Sequence, residues 1–275
     1  GAVSAPTAPA RTGEEPRRTA ANQVPMPSLT LIHTNDTHGR IVPPVSDAIA
    51  ALTAELQPDL LLDAGDSITA GNLGFRIGGE PVLETMSQLG YTAMCLGNRE
   101  THPRKEIFPR KIDCARFPIL CANAVAKGDA PLPLQPHLRL EREGVRIGLF
   151  GVTVPMFTKK QWSQPLCDYW FDNPLKCARE QVELLRPEVD LLIALTHIGH
   201  AQDLQLAEQC PELDLVIGGH SHTDLQAPDW VGHVPVIQAR AFGFYAGLAR
   251  LEVEEGTARL VHWEKRVLRK DYAAK

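Results

Sequence analysis

Five short polar stretches of this chain hold side chains of the types that can bind metal ions, and each ends or follows an apolar run. The stretches read NDTHG, AGDS, LGNRE, LTHIGH and GGHSH. Carboxylate, imidazole and carboxamide groups together favour Mn²⁺, iron, Zn²⁺ or Mg²⁺ over a site made of thiolates. One such residue alone is usually structural, but a set of them at successive strand ends indicates a shared site. The seven candidate ligands are Asp36, His38, Asp66, Asn98, His197, His220 and His222.

The number of candidate ligands predicts two metal ions. Seven side chains are too many for a single tetrahedral ion, whereas two ions that share a bridging carboxylate accommodate them. Two divalent ions about 3.5–4 Å apart hold a phosphoryl group and activate water at neutral pH. Hydrolysis of phosphate esters is therefore the predicted chemistry.

The elements that must position these residues alternate between strands and helices. LTLIHTN and DLLLDAGD are apolar runs typical of buried strands, and SDAIAALTAEL between them has helical spacing. The carboxyl ends of parallel strands meet at one edge of a sheet, which brings the polar stretches together. Residues 234–268 read as strands with period-2 alternation, which predicts Phe242 and Phe244 as core residues. This order predicts two packed sheets covered by helices.

Length and composition are those of an ordinary globular protein. The chain has 275 residues, a formal net charge of −5 and 44% hydrophobic residues. A chain of this length buries roughly three quarters of its unfolded surface and needs no disulfide or structural metal. The mild acidity argues against a nucleic-acid polymer as partner, because phosphate-backbone binding favours a basic surface. No apolar run reaches the roughly 18 residues of a membrane span, so we expect no membrane partner; the oligomeric state stays open.

The sequence predicts one domain behind an unstructured segment. Residues 1–27 carry few large apolar side chains and are expected to be disordered. Residues 28–272 show no linker or repeat and are expected to form a single catalytic domain. The first segment lacks the apolar centre of a signal peptide, and the six scattered cysteines fit reduced thiols. We therefore expect a cytoplasmic protein; a periplasmic or secreted protein whose signal peptide has been removed is the alternative.

Longer motifs resemble one enzyme family. HTNDTHGRI, the run from LLLDAGDS to CLGNRE, LTHIGH and VIGGHSHT resemble, in order and spacing, the calcineurin-like metallophosphoesterases. Within these they are most similar to the catalytic domain of the 5'-nucleotidase, UDP-sugar hydrolase and 2',3'-cyclic phosphodiesterase family, over residues 29 to about 252. The resemblance implies a four-layer α/β/β/α sandwich with two mixed sheets. It also implies a hydrolase of small organic phosphates, nucleotides first among them, in which a metal-activated hydroxide attacks phosphorus.

The resemblance also distributes the ligands between two divalent ions of unspecified identity. It implies that Asp36 stays ionised, because adjacent cations favour the charged form of a carboxyl group. The implied sets are Asp36, His38 and His222 for one ion, and Asn98, His197 and His220 for the other, with Asp66 bridging both.

The loop CLGNRETHP departs from the family pattern. Relatives carry a histidine after the asparagine and an aspartate three residues later, where this chain has Arg99 and His102. Arginine stays protonated at neutral pH, so we predict that Arg99 contacts the substrate and neutralises phosphoryl charge. With Asn98 and Arg99, His102 completes the predicted catalytic set as a candidate proton donor. The alternative is that His102 faces solvent and no protein acid takes part.

Three further expectations complete the interpretation. His200 is a second candidate for substrate contact, with a surface role as the alternative. We expect no C-terminal nucleotide-binding domain like that of the full-length nucleotidases, so nucleotide specificity does not follow from the resemblance. A phosphodiesterase or cyclic-nucleotide hydrolase, and a weakly catalytic metal-dependent binding module, are the alternative functions.

Overall fold

The structure, a computed structural model, describes residues 1, 27–128, 131–161, 166–254 and 256–269. Nearly all of the segment predicted to be disordered therefore lies outside the described residues. The described part contains two large mixed sheets, a small two-stranded sheet and five α-helices.

The first sheet has a parallel centre that begins with the first strand of the chain. Its order in space is β14-β13-β1-β2-β3-β4, with strands numbered along the chain: β1 (Ser28–Thr34), β2 (Leu60–Asp63), β3 (Ala93–Cys95), β4 (Ile119–Leu120), β13 (Tyr245–Glu254) and β14 (Thr257–Val267). Strands β1 to β4 are parallel, and β13 and β14 add an antiparallel hairpin beside β1.

The second sheet is also mixed, and its four parallel strands lie in the middle. Its order is β11-β12-β10-β9-β7-β6, from β6 (His137–Arg142), β7 (Val145–Thr153), β9 (Leu191–His197), β10 (Leu215–Ile217), β11 (Asp229–Val231) and β12 (Val234–Ile237). The edge strands β6 and β11 run antiparallel to their neighbours. The small sheet pairs β5 (Ala124–Ala126) with β8 (Tyr169–Phe171).

The helices start where local chemistry favours a helix start. Proline, whose fixed φ suits the first helical turn, begins α2 and α4, and the Asn173 side chain accepts a hydrogen bond from the Lys176 N–H in the first turn of α4. The five helices are α1 (Val45–Leu56), α2 (Pro81–Gln88), α3 (Phe108–Ile112), α4 (Pro174–Leu185) and α5 (His200–Gln209).

Three apolar cores separate four layers. Neighbouring residues of a strand face opposite sides, so Leu31 packs between the sheets while Ile32 packs under α1 and α2. In the second sheet, Ile193 faces the other sheet and Leu192 faces α4 and α5. Burying one such side chain contributes roughly 1.5–3 kcal/mol. The layers are therefore helices, sheet, sheet and helices, which confirms the predicted α/β/β/α sandwich.

The predicted strands and helices before residue 238 are present, but the tail differs from its prediction. Residues 238–244 leave the second sheet and form turns before β13 begins. Phe242 lies in these turns with 40% of its surface exposed, so the prediction that it is a core residue is wrong. Five of the six cysteines are buried. None of the helices in the described part of the chain is long and apolar enough to cross a membrane.

Candidate metal centre

The polar strand ends of both sheets meet at one place. The residues after β1 and β2 are joined by backbone hydrogen bonds, from Asp36 N–H to the Gly65 carbonyl (2.9 Å) and from His38 N–H to the Asp66 carbonyl (2.9 Å). From the second sheet, the His220 N–H donates to both carboxylate oxygens of Asp36, at 3.0 Å each. The two sheets therefore hold their carboxyl ends against each other, as the sequence predicts.

Three of the predicted ligands form an outer group, which we define as Asp36, His38 and His222. The Nε2 atoms of His38 and His222 are 3.1 Å apart, and His222 Nε2 is 3.4 Å from Asp36 Oδ1. Asp36 is fully buried, His38 is partly buried, and the His222 side chain is 38% exposed. This group opens to solvent on its His222 side.

The other four predicted ligands form an inner group, which we define as Asp66, Asn98, His197 and His220. His197 Nε2 lies 3.2 Å from the Asn98 side-chain oxygen and 3.4 Å from Asp66 Oδ1. The same Asn98 oxygen lies 3.1 Å from His220 Nδ1. Asp36 connects the groups, because its carboxylate also lies within 4.8 Å of Asp66 and His197 ligand atoms.

The spacing of these atoms fits metal coordination. Nitrogen and oxygen ligands lie about 2.0–2.2 Å from Zn²⁺, so two ligands of one ion are roughly 3.0–3.4 Å apart. The contacts between predicted ligands, at 3.1 to 3.4 Å, fall within this range.

The protonation of His197 gives a second test of the fit. Its Nδ1 is 2.7 Å from the Ala64 carbonyl, which only accepts, so Nδ1 carries the proton and Nε2 is the ligand atom. Nε2 then faces the acceptor oxygens of Asn98 and Asp66. Burial disfavours charge on His197, yet Asp66 and Asp36 raise its pKa to about 10. The site thus attracts positive charge, which a metal ion would supply.

Three other ionisable ligands, Asp66, Asp36 and His38, have pKa values that also suit metal binding. Burial opposes ionisation of Asp66, but His197 and the Arg99 N–H lower its pKa to about 2. Burial likewise opposes ionisation of Asp36, yet hydrogen bonding and charge at His222, His197 and Asn35 leave its pKa below the usual value. Burial, with Arg99 nearby, lowers the pKa of His38 to about 4. Carboxylates and neutral imidazoles are the forms that bind cations, so the residues present fit two divalent ions.

The backbone at the site is held in an uncommon conformation. Positive φ angles are uncommon for residues other than glycine and cluster at functional sites. Nine described non-glycine residues have positive φ, and five of these are predicted ligands. The five are Asp36 (+50°), His38 (+49°), Asp66 (+58°), His220 (+75°) and His222 (+56°). This concentration assigns the strain to the site rather than to connecting turns.

The loop after β3 combines a predicted catalytic residue with one that sequence reasoning missed. Arg99 donates from Nη1 to the Thr69 carbonyl (3.0 Å), and its Nε is 3.7 Å from Asp66 Oδ2. Next to it, the buried Glu100 carboxylate accepts three backbone N–H groups, from Asp66 (3.1 Å), Ser67 (2.8 Å) and Ile68 (3.1 Å). Glu100 thus fixes the turn that presents Asp66. The position of Glu100 two residues after Asn98, in the motif LGNRE, was the sequence signal that could have identified it.

The structure gives His102 backbone partners in its own loop and the next. Its Nδ1 accepts from the Arg104 N–H at 3.1 Å, and the ring also has a hydrogen bond with the Leu73 backbone. The residue is 8% exposed, so it does not face solvent as the alternative expected. Burial and the nearby Lys111 charge lower the pKa of His102. A role as proton donor stays a prediction.

His200 lies at the start of α5, beside the loop that carries His220. Its Nε2 is 2.8 Å from the Asp229 carboxylate, and its backbone N–H donates to Ser221 Oγ. The side chain therefore connects α5 to β11. Substrate contact by His200 stays a prediction.

Comparison with known proteins places the chain among phosphoesterases. The family model for calcineurin-like phosphoesterases matches residues 29–224. The chain is 29% identical to a 5'-nucleotidase of Vibrio cholerae, over 86% of this chain and 50% of that protein. It is 32% identical to a 5'-nucleotidase of Homo sapiens, over 82% and 47%. The structure of a 5'-nucleotidase precursor from Thermus thermophilus superposes with a TM-score of 0.67 at 27% identity, over 87% and 54%.

Two facts follow from these matches. The chain spans about half the length of these relatives. Because the family model covers most of the chain, including all seven predicted ligands, the chain belongs to the calcineurin-like phosphoesterase family.

Proposed function

We propose that this chain is a metal-dependent phosphoesterase of small organic phosphates, with nucleotides as the first substrate class. The observation that carries the proposal is the meeting of seven acceptor ligands from two sheets at 3.1–3.4 Å contacts. The names of the relatives support nucleotides.

The chain's own residues divide the work as follows. The outer group would hold one ion, and the inner group would hold the other. Asp66 would be the shared ligand, since it interacts electrostatically with both His38 and His197. When bound, the ions would polarise the phosphate ester and activate water. The set of carboxylate, imidazole and carboxamide ligands suits Mn²⁺, Zn²⁺, iron or Mg²⁺.

Arg99 would handle the charge of the transferred group. Its guanidinium is held next to Asp66 by the Thr69 carbonyl, yet the side chain is 34% exposed and can reach a ligand. Fixed donors aimed at developing charge stabilise a transition state strongly, and guanidinium binds phosphate oxygens through paired N–H groups. Arg99 is therefore a phosphoryl contact rather than a proton donor.

A phosphodiesterase is the second candidate, and one observation favours it. Arginine stands at the acid position, and the His102 ring is bonded to backbone groups at Arg104 and Leu73. Reactions whose leaving group needs little proton assistance suit such a site best, since a positioned general acid contributes typically 10²–10⁴-fold.

One experiment separates these functions. Purified protein is assayed with AMP, p-nitrophenyl phosphate, bis-p-nitrophenyl phosphate and a 2',3'-cyclic nucleotide, each with Mn²⁺ and with EDTA. Turnover of the monoesters that requires metal supports the leading proposal, and turnover confined to the diesters supports the second. Tight Mn²⁺ binding without turnover of any of the four would instead indicate a binding module.

A further inference from the structure

Two of the candidate ligand imidazoles, His197 of the inner group and His38 of the outer group, are oriented by different kinds of contact. A metal-binding histidine usually donates its other N–H to an acceptor, which fixes the ring and its tautomer. His197 follows this rule through the Ala64 carbonyl, at 2.7 Å. His38 does not: its Nδ1 is buried and has no hydrogen-bond partner among the described residues. Some other contact must set the orientation of the His38 ring.

That contact is the ring of Phe242. Its centroid lies 4.9 Å from the His38 ring, with 33° between the planes, and 5.3 Å from the His222 ring, at 80°. The two histidine rings are themselves 5.0 Å apart and meet at 67°. Such edge-to-face and tilted arrangements are favourable for aromatic pairs. The three rings form one packed unit, which we call the ring triad: His38, His222 and Phe242.

Phe242 is held in this place at a conformational cost. Its φ of +66° is rare for a bulky residue, and Gly243 follows with φ of +64°. Its backbone N–H donates to the Asp36 carbonyl at 2.8 Å, so the turn is fastened to the outer group itself. Core burial does not account for the ring, because 40% of its surface is exposed. A strained, exposed aromatic residue fastened to a ligand calls for a functional explanation.

We propose that Phe242 is a positioning residue for the outer metal ion, and this rests on the proposed function in that it assumes the outer group binds metal. The ring holds the His38 and His222 imidazoles in register with Asp36, in place of the hydrogen bond that His38 lacks. The inner group, oriented by the Ala64 carbonyl and Glu100, does not depend on Phe242. Loss of the ring therefore weakens binding of one ion and spares the other.

The test measures metal binding directly. Metal-depleted protein is titrated with Mn²⁺ by calorimetry, and the ions retained after gel filtration are counted. The main variant is Phe242→Gly, because glycine adopts a positive φ without strain and removes only the ring. The outer binding event is identified as the one that His222→Ala weakens. We expect Phe242→Gly to weaken that same event roughly 10–100-fold, the usual effect of losing a residue that orients a ligand, and to change the other by less than twofold.

Two control variants separate positioning from general damage. Phe242→Tyr keeps the ring and should restore both binding events to within about threefold of the original protein. Phe75→Gly removes an aromatic side chain of similar exposure (43%) in another loop and should leave both events unchanged. Unfolding in urea, followed for each variant, reports whether the fold is intact.

The outcomes are distinguishable from those of the proposed function. If Phe242→Gly weakened the binding of both ions equally, or the binding of neither, the inference would be overturned while the hydrolase proposal would still stand. Two tightly bound ions, a selective loss in Phe242→Gly and no hydrolysis of any substrate would support the inference while the hydrolase proposal fails. A wild-type protein that binds no Mn²⁺ would overturn both.

Discussion

The inner and outer ligand groups differ in how their side chains are kept in place. In the inner group, His197 is fully buried and bonded to a backbone carbonyl, and the turn of Asp66 is tied to Glu100. In the outer group, His222 is 38% exposed and the rings pack on Phe242. His220 of the inner group is also exposed, but directed hydrogen bonds at the buried His197 and Asp66 fix their geometry tightly, whereas ring packing near solvent leaves more freedom. We expect a rigid, tightly binding inner site and a more adjustable outer site.

The largest expected difference between the groups concerns one histidine from each. His197→Ala should lower kcat/KM by roughly 10³-fold or more, a loss of about 4 kcal/mol of transition-state stabilisation, because no water can readily replace a fully buried ligand. His222→Ala should cost roughly tenfold less, since solvent reaches that position. Steady-state kinetics at saturating Mn²⁺ make the comparison. Equal losses from the two substitutions would remove the distinction between rigid and adjustable groups.

Glu100 provides the next test, which concerns the support of the inner group. Glu100→Ala leaves three buried N–H groups without their acceptor, and each unsatisfied group costs about 1–3 kcal/mol. We expect a fall of about 3 kcal/mol or more in the free energy of unfolding, measured in urea. Glu106→Ala is the matched control, because that side chain is 56% exposed and pairs with Arg104 at the surface. A change below about 1 kcal/mol in Glu100→Ala would show that the turn holds Asp66 without Glu100.

Glu100 and Phe242 also show where sequence reasoning succeeds and where it stops. The meeting of the seven candidate ligands was predictable, because parallel strands must bring their carboxyl ends to one edge and the motif spacing marks those ends. The order of strands and helices predicted two packed sheets covered by helices, and the family resemblance implied the four-layer sandwich. The partners of Glu100 were not predictable, since three backbone N–H groups converge on it only after the turn at Asp66 has folded.

The prediction that Phe242 is a core residue failed for a related reason. Period-2 alternation predicts which face of a strand a residue occupies, but it carries no information about where the chain leaves the strand. Here the chain enters a turn with positive φ at Arg240, Phe242 and Gly243. The Phe242 ring therefore packs against His38 and His222 instead of the core. Strand alternation continues again only from Tyr245, in β13. Left-handed backbone at a bulky residue is a property of the folded site, and no propensity predicts it.

Arg99 lies close to residues of both groups and should give a smaller effect on catalysis. It adjoins Asp66, and its charge also lowers the pKa of His38. Arg99→Ala should raise KM or lower kcat by about tenfold, a change of about 1.4 kcal/mol, through lost contact with the phosphoryl group. Arg99→Lys keeps the charge without the paired donors, so its kcat and KM should lie between those of Arg99→Ala and those of the original protein. The control is Arg104→Ala, because Arg104 is in the same loop and its side chain is 54% exposed. Unchanged kinetics in Arg99→Ala would exclude the phosphate-contact role of Arg99.

The smallest effect concerns a buried acid behind the inner group. Asp203 accepts a hydrogen bond from Thr196, next to His197, and its other oxygen has no partner among the described residues. Burial raises the pKa of Asp203 to about 7, against an ordinary value near 3.9 in the unfolded chain. Between these pH values the folded protein keeps a proton that the unfolded chain has released. The free energy of unfolding therefore falls as pH rises, by at most about 1.4 kcal/mol per pH unit.

Asp203→Asn replaces the protonated acid with a group of the same shape that does not titrate. We expect the variant to lose about 1 kcal/mol of the stability difference that the original protein shows between pH 5 and pH 6. Urea unfolding of both proteins in EDTA, at several pH values, gives this difference, and EDTA removes the opposing pH dependence of metal binding. The matched control is Asp190→Asn, whose carboxyl has its pKa lowered to about 2 by Arg146 and so titrates outside this range. An unchanged slope in Asp203→Asn would mean that Asp203 is ionised at pH 5, and that the inner group lies against a buried negative charge rather than a neutral acid.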